Sequence, residues 1–260
     1  MTHMHHMTGG WITPVLSYVM AVVGSALGLR CTARAQAAGP RSKRNWLLTA
    51  SVAIGAGIWT MHFIAMLGYA VDGTAIRYDI PLTLLSLLVA VLVVGAGLFI
   101  AGYGRSRALS VLLGGLGTGL GVAAMHYIGM SAVRLNGTIG YDPVLVVASV
   151  VIAVVAASAA LWAALSVRGP VVAAVAALVM GLAVSSMHYT GMAAARITVH
   201  PGGAPLSGAT ATAFILPLAV VLGSFLFLTC AFVALSPTAD ERAQSEAAAR
   251  PLHEVELPAT

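Results

Sequence analysis

Seven long apolar stretches without Asp, Glu, Lys or Arg constrain what this chain can fold into. They cover residues 11–29, 46–70, 80–102, 108–132, 143–166, 171–195 and 211–235. A bilayer core of about 30 Å is spanned by about 20 helical residues, so each stretch is long enough to cross a membrane. The stretches are continuously apolar, whereas the strands of a membrane β-barrel alternate between apolar and polar residues. The sequence therefore predicts an all-α integral membrane protein with seven transmembrane helices.

The overall composition excludes a soluble or a disordered protein. Hydrophobic residues make up 59% of the chain and charged residues only 8%, whereas a soluble domain has roughly a quarter of charged residues. The formal net charge is +5, but the basic residues are distributed over the connections between the stretches and form no patch for nucleic acid. The composition therefore predicts that the protein has the lipid bilayer as a partner and that it does not bind nucleic acid.

The distribution of basic residues predicts the orientation of the chain. The connections after the first, third and fifth stretches contain Arg30, Arg34, Arg41, Lys43, Arg44, Arg105, Arg107 and Arg168. The opposite side has only Arg77, Arg134 and Arg196. Since cytoplasmic loops are enriched in Lys and Arg, we expect a plasma-membrane protein with its N-terminus outside and its C-terminus in the cytoplasm. A cleaved signal peptide would have its cations before the first stretch, and here they follow it.

Three segments follow from this topology. Residues 1–10 form an extracytoplasmic arm rich in Met and His, with the sequence MTHMHHM at its start. Residues 11–235 form the membrane domain. Residues 236–260 form a short cytoplasmic tail that we expect to be disordered, and it is too short for a catalytic domain.

The second, fourth and sixth stretches contain nearly the same six residues, which indicates an internal repeat. These are Met61-His62-Phe63-Ile64-Ala65-Met66, Met125-His126-Tyr127-Ile128-Gly129-Met130 and Met187-His188-Tyr189-Thr190-Gly191-Met192. The histidines are 64 and 62 residues apart, the length of two helices with their connections. The predicted architecture is therefore three two-helix repeats followed by a seventh helix.

A glycine precedes each histidine by seven residues, at Gly55, Gly119 and Gly181. Small residues mark the places where transmembrane helices approach each other closely. Because each glycine lies two turns from its histidine on the same helix, we expect the histidine-bearing ends of the three helices to converge.

The repeated motif has the residue types of a metal site. Residues four apart share a helix face, which places His62 with Met66, His126 with Met130, and His188 with Met192. Imidazole and thioether together favour copper. Zinc is less favoured because no Cys or carboxylate joins the set, and haem, whose axial ligands include His and Met, is the less favoured cofactor. The alternatives are a structural layer of polar side chains and, for the methionines, core packing.

Three further methionines precede the histidines directly, at Met61, Met125 and Met187, and they flank the predicted site. The His and Met residues of the N-terminal arm repeat the same donor types outside the membrane. The arm is interpreted either as a collector of metal ions or as a polar tail of accidental composition.

Charged residues in the outer connections have simpler interpretations. We expect Arg134 and Arg196 to extend to the outer lipid headgroups, with contact to an anion as the alternative. Asp79 and Asp142 each precede an apolar stretch, where a carboxylate is a favourable helix cap.

The triple motif at this spacing resembles the bacterial MHYT domain over about residues 10–235. The resemblance implies a seven-span membrane sensor domain that senses oxygen, carbon monoxide or nitric oxide through a bound metal, with copper favoured. It implies a ligand set drawn from Met61, His62, Met66, Met125, His126, Met130, Met187, His188 and Met192. The first repeat departs from the pattern, with Phe63 in place of tyrosine and Ala65 in place of glycine.

The domains of this family are often fused to cyclic-dinucleotide or histidine-kinase output modules, so signalling by this chain predicts a separate cytoplasmic partner. The alternative function is copper handling or transport. The sequence has no nucleophile–base pair and no cofactor fingerprint, so we do not expect an enzyme.

Overall fold

The computed structural model describes residues 5–7, 10–166, 169–200 and 205–236. Its seven helices are α1 (Ile12–Ala37), α2 (Pro40–Leu67), α3 (Ile80–Tyr103), α4 (Arg107–Ser131), α5 (Pro143–Ser166), α6 (Pro170–Ala194) and α7 (Leu216–Leu235). All seven are long and apolar enough to cross a membrane. The predicted all-α membrane fold with seven spans is thereby confirmed.

The first two helices are longer than the apolar stretches that predicted them. Helix α1 continues to Ala37 and α2 begins at Pro40, so the cations of this connection lie on helical ends rather than in a loop. The residues after the first stretch are mostly good helix formers, and the helix ends only before Gly39 and Pro40. The last span also differs, because a π-helical turn, Ala211–Ile215, precedes α7.

Helices α1 to α6 form a closed ring. Each helix packs against the next one in the chain, and α6 packs back against α1. Helix α7 packs outside the ring against α1 and α2. The even-numbered helices meet one another over a much smaller surface than ring neighbours do, so the centre of the ring is where their motifs can come together.

Short strands connect the helices at the end where α2, α4 and α6 finish. They are β1 (His5–Met7), β2 (Tyr69–Val71), β3 (Arg77–Tyr78), β4 (Val133–Arg134), β5 (Gly137–Tyr141) and β6 (Ala195–Val199). Antiparallel pairs form between β1 and β2, β3 and β4, and β5 and β6. Each repeat is therefore a strand, two helices and a strand that pairs with the first. These strands are too short for sequence periodicity to reveal.

The predicted terminal segments are described only in part. Within the predicted N-terminal arm, His5–Met7 form β1 and pair with the strand that follows α2. The remaining arm residues 1–4, 8 and 9, and the tail residues 237–260, lie outside the described residues.

The glycines seven residues before the histidines contact a different partner from the one expected. Gly55 packs on Val91 of α3, Gly119 on Val154 of α5, and Gly181 on Val22 of α1. A Cβ on Gly55 would lie 2.7 Å from the Cα of Val91. These close approaches therefore join each histidine-bearing helix to the first helix of the next repeat, and not to another histidine-bearing helix. The three contacts are equivalent and run around the whole ring.

Candidate metal centre

The three motif histidines meet in the centre of the ring, as the sequence predicted. Nδ1 of His62 lies 2.9 Å from Nδ1 of His188 and 3.2 Å from Nδ1 of His126. All three side chains are buried, with exposed fractions of 1% or less. Helices α2, α4 and α6 each contribute one imidazole, and we call these residues the His triad.

The geometry of the His triad suits a bound cation. A neutral imidazole has one proton, so two facing Nδ1 atoms can share only one hydrogen bond. Three nitrogens on a tetrahedral ion with bonds of about 2.0–2.1 Å lie about 3.3 Å apart, close to the separations in this site. Within the described part of the chain, this is the group of His, Cys, Asp and Glu side chains that is compact enough to hold a metal.

The outward nitrogens of two of these rings have no hydrogen-bond partner among the described residues. These are Nε2 of His62 and Nε2 of His126, and both are buried. Metal-binding histidines usually donate this second N–H to an acceptor, which fixes the tautomer. Here no outer hydrogen bond fixes it for these two rings, so a cation at Nδ1 would decide which nitrogen holds the proton.

Two glycines of the motif make room for these rings. Gly129 lies against His62, where an added Cβ would be 2.7 Å from Nε2, and Gly191 lies against the ring of His126. Each glycine therefore accommodates the histidine of the preceding repeat. The first repeat has Ala65 at this position. Sequence reasoning missed this role, although the glycines were visible within the motif.

The six motif methionines are buried in the hydrophobic core of the bundle. They are Met61, Met66, Met125, Met130, Met187 and Met192. Their burial agrees both with core packing and with a place near the His triad. Thioether ligation therefore stays a prediction.

A polar contact links each repeat to the next beside the triad. The Tyr127 hydroxyl lies 2.7 Å from the hydroxyl of Ser149, and the Tyr189 hydroxyl lies 3.4 Å from that of Ser17. The first repeat has Phe63, and there Trp59 donates from Nε1 to the hydroxyl of Ser86 at 2.9 Å. All three serines belong to the first helix of a repeat.

Arg134 and Arg196 make the anion contacts that were the alternative to the lipid headgroups. Arg134 donates to a carboxylate oxygen of Asp79 at 2.7 Å, and Arg196 pairs in the same way with Asp142. Each aspartate also accepts from backbone N–H groups of the helix it precedes, so the predicted caps are confirmed. The hydrogen bond from Arg134 lowers the pKa of Asp79, and that from Arg196 lowers the pKa of Asp142. Each pair joins the two ends of one repeat.

A family model described as "Bacterial signalling protein N terminal repeat", MHYT, matches this chain three times, at residues 55–114, 119–178 and 181–243. The chain belongs to the MHYT family. Each MHYT match begins at the glycine seven residues before a histidine. The first two matches therefore contain both residues of the glycine–valine contact that joins a histidine-bearing helix to the next repeat, and the third contains Gly181 but not its partner Val22.

Curated relatives of this MHYT chain are signalling proteins. The bifunctional diguanylate cyclase/cyclic di-GMP phosphodiesterase MucR of Pseudomonas aeruginosa is 42% identical over 185 residues, which is 69% of this chain and 27% of that protein. The cyclic di-GMP phosphodiesterase NbdA of the same organism is 41% identical over 169 residues, 63% of this chain and 21% of that protein. The signaling protein YkoW of Bacillus subtilis is 32% identical over 213 residues, 77% of this chain and 25% of that protein.

The MHYT chain thus spans about a quarter of the length of these relatives. No solved structure matches it. The matched family is described as an N-terminal repeat of bacterial signalling proteins, and the seven helices of this chain are long and apolar enough to make it a multi-pass membrane protein.

Proposed function

We propose that this protein is a membrane sensor module that binds a metal ion at the His triad and passes a signal to a cytoplasmic partner. The observation that carries the proposal is the convergence of three buried Nδ1 atoms, with separations of 2.9 and 3.2 Å. Polar side chains inside a membrane domain are costly and are usually functional. The module itself is not an enzyme.

Copper is the favoured metal. Three imidazoles with methionines nearby form a soft to borderline donor set, and thioether sulfur favours Cu(I). Haem is disfavoured because nitrogens about 3 Å apart leave no room for a porphyrin between them. When bound, copper would supply an ion that takes oxygen, carbon monoxide or nitric oxide as a ligand.

The helices that hold the triad determine how occupancy would reach the rest of the bundle. Helices α2, α4 and α6 share little surface elsewhere, so ligation would hold their outer ends at fixed separations. Each of these helices packs through a glycine on the first helix of the next repeat. A ligand that favours one separation of the three helices would therefore shift the packing of the whole ring.

The proposal includes a plasma-membrane location with the strand-bearing end of the bundle outside. Single cysteines at Ala75 and Arg105, both exposed, would test this in a background lacking Cys31 and Cys230. A membrane-impermeant maleimide added to intact cells should label the cysteine of A75C and not that of R105C. The reverse pattern would contradict the orientation.

The metal site is tested by Cu(I) binding to the full chain. Because the arm has its own His and Met donors, every protein in the comparison would contain His3, Met4, His5, His6 and Met7 changed to Ala. We expect tight binding that a further His62/His126/His188→Ala triple variant loses while it keeps its helical circular dichroism. His200→Ala, at an exposed position, is the matched control. Equal binding by the triple variant and its parent would overturn the metal assignment.

Copper transport is the second candidate function, and the apolar interior of the ring argues against it. The space on the inner side of the triad has almost entirely apolar walls, whereas ion pathways in membranes have polar or charged groups along them. Copper uptake into sealed vesicles containing the protein would favour transport over sensing.

A further inference from the structure

A cavity of about 60 Å³ lies inside the ring, on the inner side of the His triad. Its walls include the residues four positions before each histidine, which are Ile58, Val122 and Val184. They also include the residues eight positions before each histidine, which are Ile54, Thr118 and Met180. At about 1.5 Å per residue, these two sets of wall residues lie about 6 and about 12 Å along their helices from the histidines.

The first helices of the three repeats complete the walls with equivalent residues. Twelve positions after the serines that contact Tyr189, Trp59 and Tyr127 come Leu29, Leu98 and Leu161, which all face the cavity. Equivalent residues of all three repeats therefore line the cavity, just as equivalent histidines of all three repeats form the His triad. Met187, which directly precedes His188, also lines the cavity. The cavity wall therefore includes a residue of the motif that contains the third histidine.

The residues that line the cavity determine which kind of molecule can bind in it. They are almost entirely carbon, and the hydroxyl of Thr118 is directed to the backbone oxygen of Val93. Apolar cavities of this kind stay dry and take up apolar molecules. A water molecule needs about 10–15 Å³, and a cavity of about 150 Å³ holds benzene. The volume here therefore suits a molecule of two or three atoms or a xenon atom.

We propose that this cavity binds a small uncharged apolar molecule of the size of a diatomic gas and holds it directly beneath the His triad. Binding in the cavity is independent of any metal. The delivery of the bound molecule to the triad rests on the proposed function, because it requires a metal there to receive it.

Xenon is the probe for the cavity, measured by ¹²⁹Xe NMR on the full chain in nanodiscs without metal. We expect saturable binding by the wild type, at least a tenfold loss in Ala157→Leu, and unchanged binding in Ala159→Leu. Ala157 lines the cavity, while Ala159 is exposed on the outside of the same helix. Leu161→Ala enlarges the cavity and should bind xenon more tightly, which keeps the test decisive if Ala157→Leu does not fold. Equal xenon binding by all variants, or none by the wild type, overturns the proposal.

Delivery is measured by the association of carbon monoxide with the Cu(I)-loaded protein. We expect the association rate to fall at least tenfold in Ala157→Leu, with the copper stoichiometry unchanged and the Ala159→Leu rate equal to the wild type. An unchanged rate in Ala157→Leu would overturn delivery through the cavity. If the wild type binds no copper, the proposed function fails, and the xenon result still decides the cavity by itself.

Discussion

Trp59 donates a hydrogen bond from Nε1 to the hydroxyl of Ser86 over 2.9 Å, in the place where the other two repeats use a tyrosine hydroxyl. The aromatic ring of Phe63 packs on Trp59 with ring centroids 4.5 Å apart. The absence of a hydroxyl at Phe63 is thus compensated one turn earlier in the same helix. All three junctions between consecutive repeats retain a polar contact to a buried serine.

Replacement of Trp59 should therefore weaken the junction between the first and second repeats. We expect Trp59→Phe to lower the free energy of unfolding by about 1–2 kcal/mol, from the lost hydrogen bond and the lost indole surface. Adding Phe63→Tyr to this variant should recover part of the loss, because the tyrosine restores the arrangement of the other repeats. Thermal unfolding in detergent is the measurement, and a double variant no more stable than Trp59→Phe would contradict the equivalence.

Gly129 should tolerate no side chain, because a Cβ there would lie 2.7 Å from Nε2 of His62. We expect Gly129→Ala to cost about 1–3 kcal/mol through overpacking and to weaken Cu(I) binding. Gly117→Ala on the same helix is the control, since its Cβ would meet nothing within 4 Å. That control should be neutral or stabilising by up to about 1 kcal/mol, as Gly→Ala in a helix usually is. Copper affinity equal in the two variants would argue against the role of Gly129.

The methionines that follow the histidines by four residues should contribute to the metal site. We expect a Met66/Met130/Met192→Leu variant to lose Cu(I) affinity by at least about tenfold, because leucine keeps the volume but removes the sulfur donor. The unfolding temperature should change little. Met20→Leu, on α1 where the side chain packs against Gly223, is the control. Unchanged affinity in the triple variant would assign these methionines to core packing alone.

The ion pairs Asp79–Arg134 and Asp142–Arg196 should make stability depend on pH at the acid end. Arginine lowers the pKa of each carboxyl in the folded protein, so the folded state binds fewer protons there than the unfolded state. The stabilisation is therefore complete above the unfolded pKa of about 4 and is lost as pH falls through the lowered folded value. Melting temperatures across this range should fall more steeply for the wild type than for an Asp79/Asp142→Asn variant. Parallel curves would show that the pairs contribute nothing.

Two tyrosines at the strand-bearing end of the bundle have pKa values that differ from the ordinary value for a separate reason. Burial raises the pKa of Tyr69 to about 12 and also raises that of Tyr78. Both lie in the strands that follow α2, close to the end of the bundle where the His triad is found. These phenols therefore stay protonated at alkaline pH values at which an ordinary tyrosine, with a pKa of about 10, ionises.

The sequence by itself determined the seven spans, the repeat and the identity of the histidines. Crossing a membrane depends on the local transfer of about 20 consecutive side chains, so composition alone is enough. The histidines were recognisable because ionisable side chains are rare inside such spans, and three copies at one offset reinforced the signal. The convergence of these three side chains was also predictable, since equivalent helices in a repeat place equivalent residues at the same depth.

Only the tertiary structure decided which atoms and neighbours form the site. Contacts between helices far apart in the chain bring the Nδ1 atoms face to face. The same kind of contact places Gly129 against His62 and lets Trp59 replace a tyrosine. The same holds for Arg134, whose partner Asp79 is 55 residues away, and for the cavity, whose walls come from six helices. Closure of the ring fixes these contacts, and a local sequence pattern indicates which face of a helix packs closely but not which distant helix it packs against.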